Sequence, residues 1–523
     1  MKLSPADLLF WVVVLAFYAA AWFFLRRRRK DVIYFGYIGL ATIGFFWRVL
    51  FAGAFVPAGG GDMAAILFPV YHFAQENLRQ GIVPLWNPYL YAGIPFVGHI
   101  QSGPFYPPNL LLFFATPEVT YRSLEYLLIA HFWLAGVLMY IMLRTMLDAR
   151  PMTNVMGRAS RIQLSRPAAL LGALVFMFND FNITHIGNPN MVAVGAWLPL
   201  IFLLFQQALT RRRVWFAMLA GAASGVAYLA GHIQPFLYIL FAIGLYAVYF
   251  VLTNTRKANG ASRTSLLRRS SLLPSAISLI AFLAFTILIG SVSLVPNVEM
   301  SSQSLRESLS YADAAAFSLP PAQLVGLFVP ALFGRGPDIH WGPWERVEVG
   351  YVGVLPLILS ALGIMWRRER LVRFFALLAL ASFALALGSY SVVNGWLFLI
   401  PGYSQIRVPA RFVYLLDFAI AALAAHGFDS LLRPLPRRWR STWRKVFPVL
   451  AFVLMAVVFL FIPLMFVAVT LNQSHLQSHG QRLQRARLVR HSSVLLARAA
   501  ACPAHALAEH SAMGACAHRL RLP

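Results

Sequence analysis

Asp62 is the carboxylate best placed for chemistry in this chain. It opens the run from Gly59 to Asn109, which is long, aromatic, low in charge and rich in residues that fix a backbone: Pro84, Pro88, Pro95, Pro104, Pro107 and Pro108. A loop of that composition builds a site more readily than it merely joins two helices. A carboxylate facing a cleft there can take a proton from an attacking hydroxyl. Asp is also a common helix N-cap, and that plainer role suits the same position. Far along the chain, Arg407 and Arg411 lie four apart at the head of an apolar run. If a helix begins near Val408, both point to one side, and two guanidiniums beside a helix N-terminus make an anion site that fits a phosphate ester. Ion pairing with Glu299, Glu345 or Glu348 would occupy the same arginines instead.

The remaining candidates for binding are Trp86 and Asn87 in PLWNPY, then Gln101, Tyr106 and Asn109 in QSGPFYPPN. With them come His185, which follows Asp180, then His232 and Gln234 in the GHIQP turn, and Glu348 in WGPWERVEVGYVG. Amides such as Asn109 and Gln234 suit sugar hydroxyls and are equally suited to tying loops together. His185 and His232 fit a packed interfacial imidazole as well as a catalytic one, and neither sits in a strong metal-ligand spacing.

What must position these residues is a membrane. Of the 523 residues, 59% are hydrophobic and only 12% charged, against roughly 25% charged in a soluble globular chain. Mean hydropathy is +0.67. A formal charge of +26 raises nucleic acid as a partner. The Arg and Lys residues fall instead in short clusters between apolar spans, as cytoplasmic loops do under the positive-inside rule. No phosphate-binding glycine loop, zinc spacing or dinucleotide fingerprint is present. Cys502 and Cys516 lie in an atypical tail, so no disulfide framework is expected. The first apolar span, Leu8 to Leu25, runs into RRRRK rather than a small-residue cleavage site, and reads as a retained helix.

With about 20 apolar residues per span, twelve helices are expected, at 7–25, 32–56, 121–143, 167–180, 191–209, 214–230, 235–252, 272–296, 350–366, 371–389, 411–430 and 446–470. The basic clusters at 26–30, 144–166, 211–213, 256–269, 367–373 and 433–445 follow every odd-numbered helix, which places all of them in the cytoplasm and both termini outside. The outer loops are then 57–120, 181–190, 231–234, 297–349 and 390–410, and they hold every candidate residue named above except Arg411, which opens the helix that follows. Within the first, residues 63–79 space Ile66, Leu67, Val70, Phe73 and Leu78 opposite Gln75, Glu76 and Arg79, the pattern of an amphipathic helix lying on the membrane surface with Asp62 at its N-terminus. Residues 472–523 are rich in Arg, His, Ala and Ser with a single acid, Glu509, and read as a disordered or aberrant tail.

These motifs resemble the YfhO-type bacterial membrane proteins of the GT-C class of membrane glycosyltransferases. The first loop carries the likeness, from Gly61-Asp62 through PLWNPYLYAGIPF to QSGPFYPPN. HIGNPN with AWLPL, GHIQP, ERVEVGYVGVLPL and RVPARF follow in the family's order, so the resemblance spans roughly residues 32–430. It implies an all-α polytopic fold of about twelve transmembrane helices, GT-C-like, with jaw-type surface helices in the large first outer loop. Residues 1–31 would be an extra N-terminal helix and basic loop, 32–430 the core, and 431–471 a basic loop and last helix.

The resemblance further implies an inverting transfer from a polyprenyl-phosphate sugar to a glycolipid, polymer or protein acceptor at the outer face of the bacterial plasma membrane. Asp62 would be the base, and Arg407 with Arg411 would hold the donor phosphate. A divalent metal at Asp62 is compatible with the class, although no ligand set is legible. The helix before residue 32 and the lack of a long C-terminal extension depart from the family pattern, the latter bearing on acceptor recognition. Rival readings are a transporter or lipid flippase, for which twelve helices is a common count, and a non-catalytic envelope-assembly protein. Charges concentrated at the outer ends and the lack of half-to-half similarity count against a transporter, with His131 the main mid-span exception.

Overall fold

Wherever apolar residues run long enough to span a bilayer before Leu431, the computed structural model forms helix. It describes residues 5–24, 28–57, 60–90, 92–146, 164–255, 264–303, 310–330, 332–334, 349–399 and 407–433. Met1–Pro330 and Glu348–Pro434 form one compact unit, to which every element below belongs; the second unit, Ala331–Val347 with Leu435–Pro523, lies almost wholly outside the described residues, as do the expected helix 446–470 and the tail.

The described residues are mostly helical. Six helical stretches are long and apolar enough to cross a membrane: Tyr121–Thr145, Arg166–Thr184, Pro189–Arg211, Ile233–Asn254, Leu272–Ser302 and Pro409–Leu431. In chain order the helices begin with α1 (Pro5–Phe24), α2 (Arg29–Phe45) and α3 (Trp47–Phe51), the expected span 32–56 being broken at Phe46. The first loop holds α4 (Phe68–Arg79), a two-residue ladder of β1 (Trp86–Asn87) and β2 (Ile94–Pro95), and α5 (Pro107–Ala115). Next come α6 (Tyr121–Thr145), α7 (Arg166–Met177), α8 (Asp180–Thr184), α9 (Pro189–Ala196), α10 (Leu198–Arg211), α11 (Val214–Leu229), α12 (Ile233–Thr255) and α13 (Thr264–Ser302). The short α14 (Tyr311–Ala314) precedes α15 (Val354–Trp366), α16 (Arg370–Ala386), α17 (Val392–Phe398) and α18 (Val413–Leu431).

The helix α18 is the hub. Its most apolar stretch is 94% buried, whereas that of α13 is only 22% buried, which leaves α13 as an outer helix. Lipid offers little hydrophobic drive between helices, so close backbone packing must do the work, and small residues permit it. Leu359 of α15 lies so near Gly427 of α18 that any Cβ there would meet its carbonyl oxygen at 1.8 Å; Gly221 of α11 is likewise pressed on the Phe282 carbonyl of α13, at 2.2 Å.

The first loop corrects one expectation. Residues 63–79 are amphipathic as read, opening with a π-helical turn, Met63–Leu67, that runs into α4. The apolar side does not rest on a membrane surface. Met63, Leu67, Val70, Tyr71 and Ala74 pack with Phe96, Leu112, Phe113, Val119 and Leu124 in one core, because α5 and the start of α6 fold back to cover them. Gln75, read as part of the solvent face, is buried. Its amide donates to the Phe113 and Thr116 carbonyls at 3.0 and 2.9 Å and accepts from the Val119 N–H at 2.6 Å. Arg79 adds bonds to the Phe113, Thr116 and Pro117 carbonyls. Together they satisfy the carbonyls left open where α5 ends. Thr120 and Ser123 then close a reciprocal cap that starts α6.

Candidate functional site

Asp62 stands at the start of the π-helical turn, in helical backbone conformation, and its side chain makes no capping bond. The capping role therefore does not account for it. The carboxylate is exposed, and its Oδ2 accepts from Asn188 Nδ2 at 3.3 Å. Close backbone approach makes this meeting feasible: a Cβ on Gly61 would lie 4.0 Å from the Gly187 Cα, and one on Gly187 would lie 3.1 Å from Pro57 Cγ. The glycines of GGGD and HIGNPN let the two loops touch.

Two residues on, Asn190 ties three segments together. Its Oδ1 accepts from the Tyr71 hydroxyl of α4 at 2.9 Å, and its Nδ2 donates to the Gln101 carbonyl at 2.9 Å and the Gly231 carbonyl at 3.4 Å. Burial pushes the Tyr71 phenol well above its ordinary range, so it remains a neutral donor. Beyond Gly231, Gln234 connects to the arginines. Arg411 Nη1 donates to Gln234 Oε1 at 2.7 Å, while Gln234 Nε2 donates to the Tyr238 hydroxyl at 2.7 Å and to the Arg407 carbonyl. Short segments, 188–190 and 231–234, thus link the carboxylate to the arginine element.

The arginine element itself differs from its expected form. Val408 takes a left-handed conformation with φ of 59°, Pro409–Phe412 is a 3-10 turn, and α18 starts only at Val413. A regular helix would have put Arg407 and Arg411 on one face; the reversal at Val408 separates them, leaving Arg407 exposed and Arg411 half-buried on Gln234.

Several expected binding residues prove to be internal ties. Tyr106 is buried at the centre of a hydrogen-bonded series. His131 Nδ1 lies 2.6 Å from the Leu127 carbonyl, which can only accept, so Nδ1 carries the proton and Nε2 receives the Tyr106 hydroxyl at 2.7 Å. Trp197 Nε1 donates to the same hydroxyl at 2.9 Å, and burial again raises the phenol far above its usual range. This settles His131 as a packed histidine. Asn109 is buried and holds the Gly103 carbonyl at 2.9 Å. Asn87 closes a local turn onto the Tyr89 N–H at 2.9 Å. His185 is buried and donates from Nδ1 to the Phe181 carbonyl at 2.7 Å. The His232 Nδ1 accepts from the Gln234 N–H at 3.3 Å. Trp86 is exposed and lies across Gly93, where a Cβ would meet its ring at 2.5 Å. Gln101 joins the network through its carbonyl. Glu299 is exposed; Glu345 and Glu348 lie outside the described residues.

Asn188, Asn190 and Asp417 are the residues that pattern reading missed. The asparagines bracket Pro189 inside HIGNPN, and nothing in their spacing separates a network tie from a loop residue. Asp417 lies in α18, fully buried. Nearby, Asp180 Oδ2 accepts from the Val349 and Gly350 N–H groups at 2.8 and 3.2 Å, and a Cβ on Gly350 would sit 3.5 Å from Asp417 Oδ1. Neither Asp417 oxygen has a partner in good hydrogen-bond geometry, though the Phe181 N–H of α8 faces it. A lone carboxylate in an apolar run was the available signal. Among the described residues no three His, Cys, Asp or Glu side chains converge, so no donor set for a divalent metal is assembled around Asp62 there. No family model matches this chain, and no curated protein matches it.

Proposed function

We propose that the chain is a membrane glycosyltransferase of GT-C type, with about twelve spans in the bacterial plasma membrane. It would move a sugar from a polyprenyl-phosphate donor to an envelope acceptor at the outer face. The observation that carries this reading is Asp62, an exposed carboxylate not spent on capping, held by Asn188 and linked through 188–190 and 231–234 to Arg411. The ordered motifs resembling the YfhO-type proteins support the same assignment.

The chemistry is a single displacement. Asp62 takes the proton of an acceptor hydroxyl as that oxygen attacks the anomeric carbon from the face opposite the phosphate. The bond between anomeric carbon and phosphate oxygen breaks, and the lipid phosphate leaves as an anion. Arg411 and the exposed Arg407 stabilise charge that grows in the transition state. Because the leaving group departs as an anion, no second carboxylate is needed to protonate it, in contrast to glycosidases. Transfer from labelled polyprenyl-phosphate sugars by membranes holding the protein tests the reading. Asp62→Asn is expected to lower the rate by roughly 10²–10⁴-fold, the usual worth of a general base, and an unchanged rate would remove the mechanism.

A transporter or flippase is the second reading, favoured by Asp417, an ionisable group within a spanning helix. It predicts counterflow of a labelled solute in sealed vesicles that is abolished in Asp417→Asn and indifferent to Asp62→Asn.

A further inference from the structure

The segment leading from α4 into the β1–β2 hairpin presents an apolar surface that the fold does not cover. Ile82, Val83, Leu85, Trp86 and Tyr89 are all exposed, Leu85 by 71% and Tyr89 by 82%. A soluble face of that kind is normally broken up by charge. Between Arg79 and Glu118, however, the chain carries no Asp, Glu, Lys or Arg. Contiguous apolar surface of this sort marks an interaction site. From the geometry we infer that this hairpin dips into the head-group boundary of the lipid leaflet at the loop end, anchoring the first loop to the bilayer.

Three features choose lipid over a protein partner. First, Trp and Tyr flanked by aliphatic residues are the composition of an interfacial belt, where amphipathic rings sit between chains and head groups. Second, several of the hairpin's backbone N–H groups are bonded within it, which lowers the cost of entering an environment poor in water. The Ile82 N–H bonds to the Asn77 carbonyl at 3.0 Å, Tyr89 N–H to Asn87 Oδ1 at 2.9 Å, Gly93 N–H to the Leu90 carbonyl at 2.8 Å, and Phe96 N–H to the Leu85 carbonyl at 2.7 Å. Third, the surface is continuous in the chain with membrane elements. The exit from α3 exposes Phe51 and Phe55, and the loop returns into α6, a helix long and apolar enough to span. The apolar side of the amphipathic α4 is taken up by protein, so within this loop the apolar surface open to lipid is on the hairpin and on Leu111 and Phe114 of α5. This inference is independent of the reaction proposed above.

The test places single nitroxide labels on the full-length chain in vesicles of phosphatidylcholine and phosphatidylglycerol, with Cys502 and Cys516 replaced by Ser. Labels go on Leu85→Cys and, separately, Val83→Cys, so that failure of one variant to fold leaves the other. Power-saturation spectroscopy then compares access of oxygen, which concentrates in lipid, with that of a water-soluble nickel chelate. The expected result is an oxygen-to-chelate ratio several-fold above that of a label at exposed Glu76→Cys, approaching that at Leu380→Cys on the exposed face of α16. A ratio equal to that at Glu76 would overturn the proposal by placing the hairpin in water. Protection from both reagents would overturn it equally, by showing the surface covered by a second copy or another protein.

Discussion

The two ends of the helical unit are tied by different balances of charged and neutral groups. At the end away from the first loop, charges bond to charges. Asp31 of α2 accepts from Arg166 at 2.8 Å, has Arg144 at 3.5 Å and takes the Tyr140 hydroxyl at 2.9 Å. Asp429 of α18 accepts from the Ser165 N–H at 2.7 Å, from Arg433 at 2.8 Å and from Arg367. Both nodes converge on Ser165 and Arg166, the N-cap and first residue of α7. At the loop end, neutral side chains carry several of the ties, Asn190 with Tyr71, Asn109 with Gly103, and Tyr106 with His131 and Trp197, alongside one buried ion pair, Arg122 with Glu125 at 2.9 Å. There Asp62 and Arg407 stay exposed. One end buries carboxylates in networks with several arginines; the other buries mostly neutral ties and keeps Asp62 and Arg407 exposed, where a ligand can reach them.

That contrast is open to attack at several strengths. The largest effect is expected at Asp429. Replacing it by Ala removes the buried carboxylate from Arg367, which is left with Glu369 and Ser430, and breaking a buried pair by removing one partner costs up to about 3–5 kcal/mol. Thermal unfolding in detergent should show it, and a shift within error would mean that this node does not hold the bundle. A smaller loss belongs to Asn190→Ala, which leaves the Tyr71 hydroxyl without its acceptor at a cost of about 1–3 kcal/mol. If the ties of the loop end are as described, the stability lost should be insensitive to salt. The smallest change is expected at Val408. Val408 holds a left-handed backbone that costs a β-branched residue of order 1–3 kcal/mol, offset by the ~1 kcal/mol that Gly loses in chain entropy. Val408 is also buried, and losing its side chain costs about 1.5–3 kcal/mol, so the terms nearly cancel and Val408→Gly should change unfolding little; a marked loss would show that side-chain packing outweighs the backbone strain.

Helix positions were legible because apolar length alone decides them: 121–143 and 411–430 fall within α6 and the Pro409–Leu431 stretch. The basic clusters read as a topology signal, and that reading gives no sign of their use in tying the helices. That Arg166 and Arg367 reach Asp31 and Asp429 depends on which helices pack side by side, a pairing that no local pattern encodes. The loop residues divide for a related reason. Asp62 was recognisable as a lone carboxylate, and the structure keeps it exposed. Tyr106 and Asn109 carry the same polar groups as true binding residues, and only the folded packing around His131, Trp197 and Gly103 shows them turned inward. The amphipathic pattern at 63–79 was correctly read as one-sided, but a pattern of that kind cannot say whether lipid or protein covers the apolar side. The Val408 reversal was hidden as well, since RVPARF reads as a helix start just as readily with Val408 helical.

The most direct test sets Asp62→Asn beside Asp429→Asn, measuring thermal unfolding and sugar transfer on the same preparations. The account predicts that Asp62→Asn unfolds within about 0.5 kcal/mol of the parent, as an exposed surface change does, while transfer is lost; Asp429→Asn should unfold markedly earlier. An Asp62→Asn protein destabilised as much as its counterpart would contradict the account, since Asp62 would then be a structural tie like the carboxylates of the opposite end.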